Sequence, residues 1–317
     1  MNTITNTLAT ATVVLAGQAH AHTDYRVERI TFESHGHTLV GNLYIPQDVS
    51  PRRPAEGVVV TGAWTTIKEQ MPGLYAAELA ERGLVALAFD FRTWGESQGE
   101  TRSLENPAMK IEDIEAAAAF LADQPEVTAV NGLGICASAG YVASVAERGA
   151  ALESVALVAP WLHDAEIVEA VYGGPEGVRD LIETGRTGAA AERETGSPVL
   201  IPASGPVGSD ALMPIDGYYA DPARGRIEAW ENTFNIASWE GWLTFDGIRT
   251  ARGITEPVLI VHSDAAAIPH GARAFFEDLG GPKDAVWLDD VTQFDFYDEP
   301  EAVTRAADAA VDHFVEN

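Results

Sequence analysis

The segment Val130 to Tyr141, VNGLGICASAGY, holds the residues best suited to do chemistry. A strand-like apolar run enters Gly134-Ile135-Cys136-Ala137-Ser138, and a helical pattern follows at once. A sharp strand-to-helix turn can lift one side chain above a sheet, provided that small residues stand two places to either side. Gly134 and Ser138 meet that demand, with Ser138 where glycine is usual, so Cys136 is the expected nucleophile. A helix opening at Ala137 would aim its amide dipoles at the sulfur and favour thiolate over thiol. A second frame makes Ser138 the nucleophile, inside Cys136-Ala137-Ser138-Ala139-Gly140. The plainest alternative is an inert buried thiol, the usual state of a free cysteine.

Acyl chemistry at such a sulfur needs two amide donors for the oxyanion. One is expected from Ala137, directly after the nucleophile. The other is expected from Ala63 or Trp64, in the loop Thr61-Gly62-Ala63-Trp64 that follows the apolar run GVVVT. Lys68-Glu69-Gln70 comes next and can tie that loop down, or form a solvated pair. No cluster of His, Cys, Asp and Glu has metal-ligand spacing, and no glycine-rich phosphate loop precedes a helix, so neither metal nor cofactor is expected.

These residues need a scaffold that brings strand ends together. Tyr25 to Ser34 and Thr38 to Ile45 alternate around His35-Gly36-His37 and predict a hairpin. Apolar runs predict buried strands at Gly57–Thr61, Leu84–Phe89, Val130–Ile135, Ser154–Ala159, Pro257–His262 and Ala285–Leu288. Helical spacing falls between them, over Met71–Arg82, Ile111–Ala122, Ala137–Arg148, Gly271–Leu279 and Glu299–Val315. The last of these starts behind Asp298 as N-cap, with Asp295 as a further capping group and Pro300 in its first turn. Such alternation implies an α/β fold with a mostly parallel sheet covered on both faces. From Pro160 to about Thr255 the rhythm stops, and glycines, prolines and aromatics take over, as in an insertion at the carboxyl edge of the sheet. Trp161, Tyr172, Tyr218, Tyr219, Trp230, Trp239 and Trp242 either wall a pocket there or form the insertion's own core.

Over most of residues 25–317 the chain resembles the dienelactone-hydrolase-like branch of the α/β-hydrolase superfamily, particularly YcjY-type hydrolases and the related polyketide transferases. The resemblance implies an α/β-hydrolase fold with an eight-stranded sheet, core segments 23–159 and 256–317, and a lid over 160–255 inserted after strand six. It also implies ester or thioester chemistry by a cysteine with an aspartate and a histidine. Asp264, after PVLIVH, stands where the resemblance puts the triad acid. The histidine is expected in a segment like G-x-x-H-x-D-x-Y-D. Here Asp290-Val291-Thr292-Gln293-Phe294-Asp295-Phe296-Tyr297-Asp298 matches the aspartates and tyrosine but carries Gln293 in place of the base. An amide cannot accept and return a proton near neutral pH. His262, His163 or His270, all near the carboxyl edge, are the candidate substitutes. A non-hydrolytic role, as lyase, cyclase or ligand-binding protein, stays open beside the acyl-transfer reading.

Composition narrows the partners. With 48 acidic and 20 basic residues in 317, the formal net charge is −28, which repels nucleic acid and anionic lipid. No run of eighteen apolar residues occurs, so no membrane span is expected. The expected partner is a small acyl compound, with a homodimer as an open possibility. A single cysteine rules out an internal disulfide. Residues 1–22 are expected to lie outside the catalytic core. Their apolar Ala9–Gly17 and Ala19-His20-Ala21 resemble a signal segment, but residues 1–20 lack Lys and Arg, so a cytoplasmic location is expected and secretion is the alternative.

Overall fold

The computed structural model describes residues 22–149 and 152–317, and the expectation about the first 21 residues lies outside them. Its chain starts with an antiparallel hairpin, β1 (Tyr25–Ser34) and β2 (His37–Pro46). The turn uses His35 and Gly36 at φ 47° and 81°, the left-handed pair that matches strand twist in tight hairpins. Then come β3 (Ala55–Thr61), α1 (Met71–Glu81), β4 (Val85–Phe89), α2 (Pro107–Ala122), β5 (Val127–Ile135), α3 (Ala137–Glu147) and β6 (Val155–Val158). After a long excursion the sheet resumes with β7 (Val258–Ser263), α7 (Pro269–Asp278) and β8 (Lys283–Leu288), and the chain ends in α8 (Asp295–Asp298) and α9 (Pro300–Glu316).

The eight strands form one sheet in the order β1-β2-β4-β3-β5-β6-β7-β8. Only the β1–β2 and β2–β4 pairs are antiparallel. Val58, Val59 and Val60 of β3, Val85 to Ala88 of β4 and Val155 to Val158 of β6 are fully buried, which is why these strands read as continuous apolar runs. The chain order reverses about β3, with β4 on one side and β5 on the other. Loops leaving the carboxyl ends of β3 and β5 therefore diverge and open the crevice where ligands bind in such sheets. Thr61 pairs with Gly134, Ile135 with Val158, and Val158 with Val261. The residues after β3, β5, β6 and β7 thus emerge side by side.

Residues 160–255 add no strand to this sheet among the described residues. They fold as α4 (Ala165–Val171), α5 (Gly174–Thr195), α6 (Ser238–Leu243), a 3₁₀ turn at Ile248–Gly253 and two short strand pairs. The 22-residue α5 is absent from the sequence expectation because four glycines at 174, 177, 185 and 188 depress helix propensity. Two of them are packing requirements. A Cβ on Gly188 would come within 2.5 Å of Ile236 Cγ1, and one on Gly185 within 3.1 Å of Trp239 Cβ. Tertiary contact with the α6 region has overridden local preference.

Helix starts also differ from expectation. α2 begins at Pro107, because the Asn106 side chain caps Met109 N at 3.2 Å. The N-cap of α9 is Glu299, whose carboxylate accepts from Ala302 N at 2.9 Å. Asp298 is not the cap: it pairs with Arg224 of the excursion. Nor does Asp295 cap α9, since it accepts from Thr292 N at 2.7 Å and turns the chain into α8.

Candidate active site

Cys136 sits between the last residue of β5 and the first of α3 at φ 57° and ψ −118°. A non-glycine residue held there costs about 1–3 kcal/mol and persists only when its surroundings over-determine it. Here they do: Cys136 N donates to Val158 O at 3.0 Å, and Cys136 O accepts from Trp161 N at 2.9 Å and from Ala139 N at 3.1 Å. Gly134 has no room for a side chain, because a Cβ would approach Ser138 O at 2.7 Å. Ser138 is fully buried, and its hydroxyl donates to Gly62 O. That hydroxyl ties the cysteine turn to the loop after β3, and of the two candidate nucleophiles it is Cys136 that stands at the bend.

Two backbone N–H groups face the sulfur, those of Ala137 and of Trp64. Of the pair Ala63 and Trp64, it is Trp64 whose amide makes this contact. The loop that presents it is strongly braced. Ala63 O accepts from Thr66 Oγ1 at 2.7 Å, and Thr65 takes φ 65°. Lys68, 1% exposed, reaches Asp90 at 2.8 Å, Glu96 at 2.8 Å and Glu69 at 2.6 Å. Burial pulls the Lys68 ammonium down, but the Asp90 carboxylate and its hydrogen bonds outweigh that and hold its pKa above the ordinary value. The excursion braces the same loop: Trp230 Nε1 donates to Thr65 O at 2.8 Å, and Gln70 Nε2 donates to Gly225 O at 2.6 Å.

The thiol itself departs from expectation. Burial raises its pKa above the ordinary cysteine value, against the pull of Tyr297, the Ala137 and Trp64 amides and Gln293. Helix amides do face the sulfur, but desolvation is the larger effect. The resting group is a thiol.

Gln293 and Tyr297 also interact with the sulfur through their side chains. Gln293 Nε2 donates to Ala159 O at 3.0 Å and to Tyr297 Oη at 3.1 Å, while Oε1 accepts from Ala267 N at 3.0 Å. The turn after β7 therefore offers this amide a backbone N–H. Asp264 points elsewhere: its carboxylate, 70% exposed, pairs with Arg273 at 2.7 Å. Arg273 also lies over the Trp287 ring at 4.1 Å. The structure does not bring Asp264 to Gln293.

The three histidines are not brought to the sulfur either. His163 is buried, its Nδ1 accepting from Trp161 Nε1 at 3.0 Å and its ring edge-on to Trp242 at 4.7 Å. His262 is buried in β7 beside Trp287 at 5.2 Å. Burial lowers each of the two to about 4, so both are neutral near pH 7. His270 is exposed in the first turn of α7. Tyr297 was not singled out from the sequence, although the matched Phe296-Tyr297-Asp298 segment carried it. The excursion adds Tyr219, hydrogen-bonded to Tyr297, and an aromatic group in which Trp64 stacks on Trp242 at 4.8 Å. Beneath lies a buried polar knot in which Glu105 accepts from Tyr141 Oη and Lys110 Nζ, each at 2.8 Å.

No helix among the described residues is long and apolar enough to cross a membrane. Among them no group of three or more His, Cys, Asp and Glu is placed to hold a metal ion.

No family model matches the chain. Among curated proteins it is 28% identical over 286 residues to the uncharacterized protein PA2218 of Pseudomonas aeruginosa, covering 85% of this chain and 76% of that one. It is 27% identical over 259 residues to the uncharacterized protein YcjY of Escherichia coli K12, covering 76% and 80%. It is 24% identical over 278 residues to the thiohydrolase aneE of Aspergillus aculeatus, covering 83% and 84%. The crystal structure of PA2218 matches with a TM-score of 0.79 at 24% identity, over 97% of this chain and all of that one. The α/β hydrolase GrgF of a Penicillium species matches at 0.75 and 19%, over 91% and 99%. A dienelactone hydrolase of Anabaena variabilis matches at 0.55 and 13%, over 92% and 98%. Sheet order and these neighbours agree on an α/β-hydrolase fold, and in sequence the chain is similar to YcjY, PA2218 and the thiohydrolase aneE.

Proposed function

We propose that the protein is an acyl-transfer enzyme that takes the acyl group of a thioester, in preference to an ester, onto Cys136. The observation that carries this reading is the meeting of two N–H groups, Ala137 and Trp64, at one sulfur, from the ends of two neighbouring strands. A carbonyl attacked by Sγ would place its developing oxyanion near both donors. One such donor is worth about 10²–10³ in rate.

The preference for a thioester follows from the proton problem. The resting nucleophile is a thiol, and no imidazole is among the groups that touch it. A departing thiolate has a conjugate acid near pKa ~8.5. An alkoxide is several powers of ten more basic and needs a strong general acid. In exchange with a thioester, Sγ bonds to the carbonyl carbon, the old carbon–sulfur bond breaks, and the thiol proton ends on the departing sulfur. Attack by water on the acyl-enzyme lacks the base that ordinarily contributes about 10²–10⁴. Transfer to a second thiol or another good nucleophile is therefore favoured over hydrolysis. The segment 160–255 would serve as the lid, its aromatic side chains near the sulfur excluding water. The thiohydrolase among the relatives supports acyl chemistry of this kind.

Incubation with an octanoyl thioester of N-acetylcysteamine, followed by intact mass measurement, tests it. The expected result is one acyl adduct, mapped to Cys136 and lost in Cys136→Ala, and released at least tenfold faster by added thiol than by buffer. Unchanged native activity in Cys136→Ala would sink the reading and favour a non-hydrolytic role for the same pocket.

A further inference from the structure

Transfer of an acyl group from one sulfur to another has to move one proton across a few ångströms. The side chains that touch Sγ are Tyr297 and Gln293. Gln293 is held from three sides, donating to Ala159 O and Tyr297 Oη and accepting from Ala267 N. Its amide cannot turn over without facing carbonyl against carbonyl at Ala159 and N–H against N–H at Ala267. The orientation that remains sends one N–H into a lone pair of Tyr297 Oη. A tyrosine hydroxyl has one hydrogen to give and a second lone pair to offer. The tyrosine ring is fixed too, 2% exposed, edge-on to Tyr218 at 5.2 Å and tilted against Phe294 at 5.7 Å. Tyr219 approaches the same hydroxyl from the excursion.

Resting on the acyl-thioester reading, we propose that Tyr297 is a catalytic residue, the proton carrier between Cys136 and the departing sulfur, and that Gln293 is its positioning residue. The thiol proton passes to Tyr297 Oη in the same event in which the hydroxyl's own hydrogen passes to the leaving sulfur, as the Sγ–carbonyl bond forms and the old carbon–sulfur bond breaks. Tyr297 is neutral throughout, and neither a phenolate nor a doubly protonated phenol forms. Burial, reinforced by Cys136 and Tyr219, holds that phenol well above its ordinary range, so a relay suits it and a free base does not. Gln293 suits the task because its N–H fills the lone pair that would otherwise compete for the thiol proton.

The test follows acylation of Cys136 by an octanoyl alkyl thioester, read by mass, near pH 7 and again above the pH at which iodoacetamide labelling of each variant levels off, where a preformed thiolate attacks, a thiolate departs and no proton need move. Tyr297→Phe keeps the ring packing, and it is expected to slow acylation about 10²-fold near pH 7 but less than about fivefold at the higher pH. Gln293→Leu should show the same pH selectivity at smaller size. Equal losses at both pH values, in either variant, would reveal a merely structural effect and overturn the proposal, as would unchanged rates in Tyr297→Phe. Absence of any adduct on the unaltered protein would sink the acyl-enzyme reading itself. An adduct formed equally fast without the phenol would spare that reading and remove only the relay.

Discussion

The two halves of the site are built on opposite principles. The half around β3 and β5 presents a sulfur and two amides by backbone geometry alone: a positive φ at Cys136, no space at Gly134, and a serine hydroxyl bridging Ser138 to Gly62. The half beyond β7 and β8 presents side chains, and here the expected pair is missing on both sides. Gln293 stands where the resemblance puts the base, and the turn that faces it supplies Ala267 N–H. The two changes fit each other, since an amide oxygen wants a donor where an imidazole N–H would want a carboxylate. On the proposed reading this half is matched to glutamine, whose amide oxygen and nitrogen both have partners.

That contrast can be tested from three directions. The largest effect is expected in the pH dependence of alkylation. Burial raises the Cys136 thiol, so its thiolate fraction grows about tenfold per pH unit below the pKa. Iodoacetamide labelling should still be climbing past about pH 8.5, the ordinary cysteine value. A plateau below that would show that the amides outweigh desolvation after all. A smaller effect is expected from Gln293→His. A working base would add about 10²–10⁴ in hydrolysis, but with Asp264 paired to Arg273 and not placed to orient the ring we expect a gain below about tenfold, measured as acyl-enzyme turnover in buffer. A gain of a hundredfold would show that the acid-base half is merely vacant. The smallest is for Asp264→Asn. Its carboxylate faces Arg273 in solvent, and acylation should stay within about twofold, as suits an exposed pair. A large loss would return Asp264 to the site.

Much of the scaffold is readable from residue types. Buried parallel strands announce themselves as runs such as GVVVT, and the cysteine turn as small residues at fixed offsets around Cys136. What is not readable depends on partners distant in sequence. α5 is hidden because Gly185 and Gly188 answer to Ile236 and Trp239 and not to helix propensity. Asp264 is a carboxylate at a plausible place, but only the fold shows that Arg273 claims it. Ala267 acts through its backbone, which leaves no trace in residue type. Tyr297 looks like any core aromatic beside Phe296. The thiol's raised pKa reflects competition between desolvation and local dipoles, and only coordinates can weigh the two.

The hydrogen bonds from Trp230 to Thr65 O, and from Gln70 to Gly225 O, have a mechanical consequence. One straddles the residue next to Trp64, and the other anchors the end of the same stretch. On the acyl-transfer reading proposed above, lifting residues 218–230 to admit substrate would break both bonds and unbrace the loop that carries the Trp64 amide. Entry and readiness would then be interlocked: an ajar molecule would be a disarmed one, with its oxyanion seat rebuilt only when the door shuts behind the guest.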